Sequence, residues 1–294
     1  MSMKVPVENV AAQSKLNQEQ AQAYNTILER VNSETPGLFF VDGPGGTRKT
    51  FLYRALLGKV RSEGMIALAS ATSGVAATIL PGGRTTHSRF AIPLQADETT
   101  MTNMSKQVDR SFRDIMDSDI PFGGKVMVFG GDFRQVLPVV PKSTRAETVN
   151  ASLVKSYLWP LIEKIQLSTN MRARADTSFS NFLLRVGNGE ETTIKDNLIA
   201  LPEQMNVQQT QHANPEETLI SEIFPDLQQN YRSTDYITER AILASRNEFV
   251  DNLNEILIGK FPGEKKIYIS FDSAEDDTNN YYQEEYLNTL TYTK

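Results

Sequence analysis

The chain has 294 residues, enough for one large domain or two of ordinary size, and its 39% hydrophobic and 22% charged residues are typical of a folded globular protein. It contains no cysteine, which excludes disulfides and thiolate metal sites. No apolar run is long enough to cross a bilayer, and residues 1–10 lack the layout of a secretory signal, so we expect an intracellular protein that is neither secreted nor membrane-bound.

The net charge of −6 does not by itself indicate a nucleic-acid-binding protein, but the charge is unevenly spread. Residues 1–189 hold 22 basic and 16 acidic residues, whereas residues 190–294 hold 8 and 20. Within residues 43–89 there is one acidic residue against seven basic ones, which either contact phosphates or lie on solvated helix faces. The seven are Arg48, Lys49, Arg54, Lys59, Arg61, Arg84 and Arg89.

The first part of the chain alternates between predicted helices and predicted strands. Residues 17–31 predict an amphipathic helix, with Asn17 as its cap and Gln20 at the capping-box position. Short apolar runs typical of buried strands follow, and each leads into a helical segment. In chain order these are strand 38–41, helix 49–61, strand 66–69 and helix 74–80.

The rest of the chain continues this alternation. The predicted elements are strand 125–129, helix 152–159, strand 165–167, helix 179–186, strand 241–244 and helix 247–258. Strands that alternate with helices predict an α/β fold, in which a parallel sheet carries helices on both faces.

A glycine-rich segment lies between the first strand and its helix. Gly43-Pro44-Gly45-Gly46-Thr47-Arg48-Lys49-Thr50 has the spacing of a phosphate-binding loop, except that Arg48 stands where the pattern has glycine. Backbone N–H groups of such a loop hold an anion. We expect Lys49 to contact the β- and γ-phosphates of a nucleotide and Thr50 to hold Mg²⁺. The alternative is a glycine-rich turn without a ligand. The bulk of Arg48 would lower nucleotide affinity, whereas its positive charge would raise it.

A polar turn follows strand 125–129. Ligand contacts in a doubly wound sheet lie at the carboxyl ends of its strands, so we expect Asp132 and Gln135 near the phosphate loop. Gln135 is placed to sense the γ-phosphate. The alternative is a capped turn in which Asp132 is an ordinary turn residue.

Seven segments make the chain resemble the Pif1-like ATP-dependent DNA helicases of superfamily 1, in the form common in plants and transposons. They are Leu16-Asn17-Gln18-Glu19-Gln20, Asp42-Gly43-Pro44-Gly45-Gly46-Thr47, Ala71-Thr72-Ser73-Gly74-Val75-Ala76-Ala77, Gly83-Arg84-Thr85-Thr86-His87-Ser88-Arg89-Phe90, the block 130–139, Leu167-Ser168-Thr169-Asn170-Met171-Arg172, and Ala241-Ile242-Leu243-Ala244 with Asn247-Glu248. The match keeps the family's order over nearly the whole chain. It implies a RecA-like P-loop NTPase domain at 1–168 and an incomplete second RecA-like domain at 169–294.

The resemblance also implies roles at a site for ATP and Mg²⁺. Gln20 contacts the adenine, with the helix cap as its alternative role. Arg172 reaches the γ-phosphate as an arginine finger, with a surface ion pair as the alternative. Lys49, Gln135 and Arg172 are then the catalytic residues.

The partner implied by the resemblance is single-stranded or forked DNA. Thr72, Ser73, Thr86 and His87 are the residues that would contact it. The family's work in DNA repair, recombination and telomere maintenance implies a nucleus or an organelle as the location, and we expect a monomer.

Two features of the family pattern are missing. Members carry an apolar strand ending in Asp-Glu between the His87 segment and the Gly130 block, and this acidic pair holds Mg²⁺. Residues 91–124 contain no such strand, which predicts a deletion near 105–110, no Walker B carboxylates beside Thr50, and a gap or exposed edge in the first sheet. The chain also stops at Lys294, before the late motifs of a second domain.

Two hypotheses therefore remain for this chain. One is an ATP-dependent DNA helicase that couples hydrolysis to translocation on single strands and duplex unwinding. The other, which we favour, is a truncated non-catalytic relative that at most binds nucleotide or DNA weakly, because loss of the metal-holding carboxylate removes several kcal/mol of transition-state stabilisation.

Overall fold

The structure is a computed structural model that describes residues 12–90, 100–135, 144–196, 198–207, 214–244, 246–264 and 266. The chain divides into two compact units at Glu191 and Thr192. The domain boundary predicted between residues 168 and 169 follows the motifs rather than compactness, and it stays a prediction.

The first unit contains a helix or a strand in nearly every predicted position. Its elements are α1 (Gln18–Asn32), β1 (Gly37–Asp42), α2 (Lys49–Ser62), β2 (Ser70–Ala71), α3 (Gly74–Thr78), β3 (Arg84–Thr85), α4 (Thr86–Phe90), α5 (Thr100–Met116), β4 (Val126–Gly131), α6 (Arg145–Asn150), β5 (Glu163–Gln166) and α7 (Thr177–Asn188). Short 3-10 helices span Ala12–Lys15, Pro121–Gly124, Leu153–Lys155 and Trp159–Leu161.

A parallel sheet of order β4-β1-β5 forms the centre of the first unit. β1 pairs along its whole length with β4, from Gly37 opposite Val126 to Asp42 opposite Gly131. Its second half pairs with β5. Because all three strands run in one direction, the residues that follow them come out at one edge of the sheet.

Successive residues of β1 face opposite sides of this sheet. Phe39 and Val41 are buried in a core shared with α1 and α2. Phe40 is buried in a second core with Val108 of α5 and with Phe122. The sheet is therefore covered on both faces, which confirms the predicted α/β class.

Two predicted strands are wrong. Residues 66–69 form no strand, and the side chain of Ile66 is 88% exposed. Only Ser70–Ala71 pairs, with β3, in a separate two-stranded parallel sheet. Residues 241–244 also lack regular structure, and Leu243 is 92% exposed. An apolar run becomes a buried strand only beside another strand, and neither run has such a neighbour among the described residues.

One helix prediction is wrong. Residues 152–159 form two 3-10 turns separated by the extended residue Ser156, instead of one helix. Pro160, which lacks an N–H donor, lies at the start of the second turn. α5 lies between the predicted elements 74–80 and 125–129.

β4 pairs with β1 on one side and with no described strand on the other. This agrees with the edge predicted from the missing acidic strand. Asp97-Glu98, the only Asp-Glu pair in the searched stretch, lies outside the described residues.

The second unit, in its described part, contains a small antiparallel sheet and four helices. Its elements are β6 (Thr193–Lys195), β7 (Leu198–Ile199), α8 (Pro215–Ile223), α9 (Leu227–Asn230), α10 (Thr234–Thr238) and α11 (Asn247–Gly259), with a 3-10 helix at Glu203–Met205. Its buried side chains include Ile220, Phe224 and Leu227. A second RecA-like domain stays a prediction. Across the described ranges of both units, no helix has the length and apolar character needed to span a bilayer.

Candidate nucleotide-binding site

The phosphate loop connects the end of β1 to the start of α2, and close packing requires glycine at positions 43 and 46. A Cβ built on Gly46, where φ is +97°, would lie 2.2 Å from Oδ1 of Asn170. A Cβ on Gly43 would lie 2.8 Å from the backbone oxygen of Leu167. Arg48 adopts φ 57° and ψ 40°, the left-handed conformation that glycine adopts most easily, and its side chain is exposed. The arginine therefore fits a loop built for glycine.

Lys49 begins α2 and folds back over the loop. Its Nζ donates a hydrogen bond to the backbone oxygen of Gly43. Burial lowers the pKa of the Lys49 ammonium, while the carboxylates of Asp132 and Asp42 oppose that shift. Thr50 follows in the same turn of the helix. Lys49 and Thr50 thus both lie at the helix N-terminus that follows the glycine-rich loop.

Gln20 holds the phosphate loop from the side of α1. Its Oε1 accepts a hydrogen bond from the backbone N–H of Asn17, and the Asn17 side chain caps the helix in return. Its Nε2 donates to the backbone oxygen of Thr47 at 2.9 Å, and the side chain is 1% exposed. The helix-cap role is confirmed, and the contact with Thr47 is one that sequence reasoning missed. The adenine contact stays a prediction.

The turn after β4 brings Asp132 and Gln135 to the phosphate loop. Gln135 Nε2 donates to Asp132 Oδ2 at 3.0 Å and lies 3.9 Å from a Cβ built on Gly45. The predicted proximity of Gln135 to the loop is therefore confirmed.

Arg134 was not among the predicted site residues, although it links several parts of the site. Its guanidinium lies 3.6 Å from the carboxylate of Asp132 and 3.7 Å from that of Asp42. Its Nε donates to Oδ1 of Asn188 in α7 at 2.7 Å. The only available signal was its place in the Gly130 block.

Residues 168–174, here called the arginine loop, are hydrogen-bonded to the phosphate loop. The backbone N–H of Met171 donates to the oxygen of Gly46 at 2.9 Å. Asn170 donates through Nδ2 to the oxygen of Gly45 at 3.4 Å, and its Oδ1 accepts from the N–H of Arg172 at 2.9 Å. The side chain of Arg172 is exposed and forms no ion pair with any described residue. The structure thus brings the predicted arginine to the phosphate loop.

A cleft of about 450 Å³ opens between the phosphate loop, the turn after β4, the arginine loop and α7. Arg134, Gln135 and Arg174 line it. A second cleft of about 390 Å³ includes Arg172 and shares Gly45 with the first. Both volumes lie in the range of small-molecule sites.

The four residues predicted to contact DNA also lie together. β2 and β3 are parallel, with Ala71 opposite Thr85, so Thr72-Ser73 and Thr86-His87 leave adjacent strand ends. Thr86 Oγ1 donates to the oxygen of Ala71 at 3.1 Å. Burial lowers the pKa of His87, which favours a neutral imidazole.

Besides Lys49, four of the seven basic residues in segment 43–89 are bound by the protein itself. Three arginines donate hydrogen bonds to backbone carbonyl groups, and one lysine pairs with Glu63 at 2.7 Å. They are Arg54, Arg61, Arg89 and Lys59. Arg48, Arg54 and Arg84 are exposed, and the choice between phosphate contacts and solvated helix faces stays a prediction.

The family model described as PIF1-like helicase matches residues 15–108 and 97–197, which together make up more than half of the chain. The chain belongs to the PIF1-like helicase family. The matched stretches include every residue predicted for the nucleotide site, from Gln20 to Arg172.

Members of the PIF1-like helicase family are also found in direct comparisons. The chain is 30% identical over 213 residues to the ATP-dependent DNA helicase PIF1 of Trypanosoma brucei brucei, covering 65% of this chain and 21% of that protein. It is 29% identical over 172 residues to the ATP-dependent DNA helicase PIF1 of Danio rerio, covering 49% of this chain and 26% of that protein. The chain thus spans about a fifth to a quarter of these relatives.

The fold is that of solved PIF1-like helicases. The crystal structure of Pif1 helicase from Bacteroides in complex with ADP-AlF3 and ssDNA matches with a TM-score of 0.54 and 20% identity, over 83% of this chain and 57% of that one. This likeness supports the RecA-like fold of the sheet.

Proposed function

We propose that this chain binds ATP at the phosphate loop and single-stranded DNA at the ends of β2 and β3, as the nucleotide-binding part of a PIF1-like DNA helicase. The observation that carries the proposal is the formed phosphate loop, which is packed against Gln135 and the arginine loop. Nucleotide use follows from family membership, whereas the roles of single residues are supported by their positions.

The residues of the site fit a triphosphate. Backbone N–H groups of the phosphate loop and the start of α2 hold the phosphates, and Lys49 neutralises their charge. We assign Gln135 and Arg172 to the γ-phosphate, because Gln135 lies near Gly45 and the backbone of Arg172 is bound through Asn170 to the phosphate loop. Loss of that phosphate on hydrolysis would remove a contact from both side chains. The site would in this way distinguish ATP from ADP.

The residues fit magnesium less well. Thr50 supplies a hydroxyl, and Mg²⁺ in nucleotide sites is usually held by one or two carboxylates as well as by phosphates. The carboxylate of Asp132 is engaged by Arg134 and Gln135. Within the described residues no group of three His, Cys, Asp or Glu side chains is arranged to hold a metal ion.

This observation favours a second candidate function, which is nucleotide binding with slow or no hydrolysis. Mg²⁺ that is held only through Thr50 and the phosphates supplies less charge stabilisation to the transition state. The family model also matches in two stretches that overlap at residues 97–108, close to the join where the acidic strand is predicted to be missing. We favour this second function for the chain as it stands.

The test of nucleotide binding uses the whole chain with ATP or ADP and magnesium, followed by calorimetry. We expect measurable affinity for both, and Lys49→Ala to weaken it at least about tenfold because a charged hydrogen-bond donor to phosphate is lost. Lys59→Ala is the matched control, since Lys59 lies in the same helix but pairs with Glu63. An affinity unchanged by Lys49→Ala would show that the loop is only a turn.

Hydrolysis is tested separately, by ATP turnover with and without single-stranded DNA. Turnover stimulated by DNA would establish a helicase-type motor and refute the second candidate. Nucleotide binding without turnover would establish the second candidate function.

A further inference from the structure

Glu19 is the acidic residue in the first turn of α1, and its side chain is bound to the arginine loop. Its Oε2 accepts hydrogen bonds from the backbone N–H of Ser168 at 2.9 Å and of Thr169 at 3.0 Å. Its Oε1 accepts from the hydroxyl of Ser168. Hydrogen bonds to a carboxylate are among the stronger ones in proteins. They lower the pKa of Glu19 although burial raises it.

The next residue in the same helical turn holds the phosphate loop. Gln20 donates to the oxygen of Thr47, as described above. Adjacent residues of α1 therefore bind the two loops that surround the phosphate position. Nothing in the amphipathic pattern of α1 indicated this, because Glu19 lies on its polar side.

The arginine loop connects the residues bound by Glu19 to Arg172. Residues 168 and 169 are fixed by Glu19, and Asn170 and Met171 are fixed by the oxygens of Gly45 and Gly46. Asn170 then accepts the N–H of Arg172. The backbone of this arginine is thus set within the first unit, from one side by α1 and from the other by the phosphate loop.

We propose that Glu19 is a positioning residue that holds the arginine loop on the phosphate loop, so that Arg172 is placed for the γ-phosphate of ATP before any second domain closes. The inference rests on the proposed function. It assigns to the start of α1 a second role, in γ-phosphate recognition, in addition to the contact of Gln20 with the phosphate loop.

The experiment measures ATP and ADP affinity, with magnesium, for the full chain and for variants. Because Arg172 meets only the γ-phosphate, Arg172→Ala is expected to lower ATP affinity about tenfold and to leave ADP affinity within about twofold. Glu19→Gln, which keeps size and removes the charge, is expected to lower the ATP-to-ADP affinity ratio in the same way. The double variant is expected to lose no more than Arg172→Ala alone, because both act through one side chain.

Two further variants separate positioning from folding. Ser168→Ala removes one of the three donors to Glu19 and should give a smaller loss in the same ratio. Glu29→Gln, on the exposed side of the same helix, should leave the ratio unchanged. Hydrogen exchange at the amides of Ser168 and Thr169 should become faster in Glu19→Gln and stay as it was in Glu29→Gln.

A Glu19→Gln variant that keeps the full ATP preference would overturn the inference, and so would one that loses ATP and ADP affinity equally, since that is general weakening of the loop. An Arg172→Ala variant with an unchanged ratio would overturn it as well. If the unmodified chain bound neither nucleotide, the proposed function would fail first, a result that is distinct from all of these.

Discussion

At the scale of the residue, Arg48 shows how a departure from a motif can leave its geometry intact. The family pattern has glycine here, and the structure keeps the left-handed backbone that glycine favours, with φ 57°. L-residues adopt this conformation at a cost of roughly 1 kcal/mol, so the chain maintains the loop against that penalty. The exposed side chain leaves the positive charge near the site without filling it.

Two substitutions at this position separate the backbone effect from the charge. Arg48→Gly and Arg48→Ala both remove the guanidinium, but only glycine removes the left-handed penalty. We expect the glycine variant to have a free energy of unfolding about 1 kcal/mol higher than the alanine variant. Urea denaturation of both measures this difference. Equal stability, or a more stable alanine variant, would mean that the backbone at Arg48 is not left-handed.

Site residues were predictable where one motif fixes both their type and their spacing. Lys49, Gln135 and Arg172 were assigned from the sequence, and the structure places all three at the phosphate loop. Glu19 and Arg134 were missed, because their roles depend on strands and loops that meet only after folding. A charged residue next to a motif gives no sign in the sequence of which distant backbone groups it will bind.

At the scale of the element, the packing of α2 on β4 is set by Gly130 and Tyr53. A Cβ on Gly130 would lie 1.7 Å from the hydroxyl of Tyr53, so glycine makes room for this ring. That hydroxyl is buried and has no hydrogen-bond partner among the residues that the structure describes. Burial also raises the pKa of Tyr53. The ring therefore stabilises the contact by packing, while its hydroxyl opposes it.

Tyr53→Phe removes this hydroxyl and keeps the ring. We expect the free energy of unfolding to rise by up to about 1 kcal/mol, because an unsatisfied buried polar group disappears. Tyr24→Phe is the matched control, since the Tyr24 hydroxyl donates to Gln13 and its loss should be neutral or destabilising. Chemical denaturation compares the two, and a Tyr53→Phe variant that is less stable than the Tyr24→Phe variant would contradict the expectation.

Elements were predictable where local pattern and tertiary neighbours agree. The helix from Asn17 was marked by a capping box, and α1 begins where that box places it. The run 66–69 had the composition of a buried strand, but it forms no strand in the described structure, and Ile66 and Leu68 are exposed whereas Ala69 is buried. Hydrophobicity alone predicts that a segment is buried, but it does not indicate whether a partner strand is present.

At the scale of the whole molecule, the sheet and the site share one feature. The described sheet ends at β4, and the two carboxylates that raise the pKa of Lys49, those of Asp132 and Asp42, are both paired with Arg134. The strand that the family places between the His87 segment and β4 would add both a neighbour in the region of β4 and an acidic pair. The predicted loss of that strand would account in one step for the edge strand and for the shortage of metal-binding carboxylates among the described residues.

Restoring that strand tests this explanation. We would insert an apolar strand ending in Asp-Glu before Thr100, so that α5 stays intact, and measure ATP turnover with single-stranded DNA. Turnover is expected to rise by about 10²-fold or more, since carboxylates that hold the metal stabilise charge in the transition state. The same insertion ending in Asn-Gln restores the strand without the charge and should improve solubility but not turnover. Lys49→Ala in the restored chain should abolish the gain. If the chain without the insertion already turned over ATP at the restored rate, its hydrolysis would not depend on the missing pair, and Asp42 or Asp132 would have to be released from Arg134 to serve in its place.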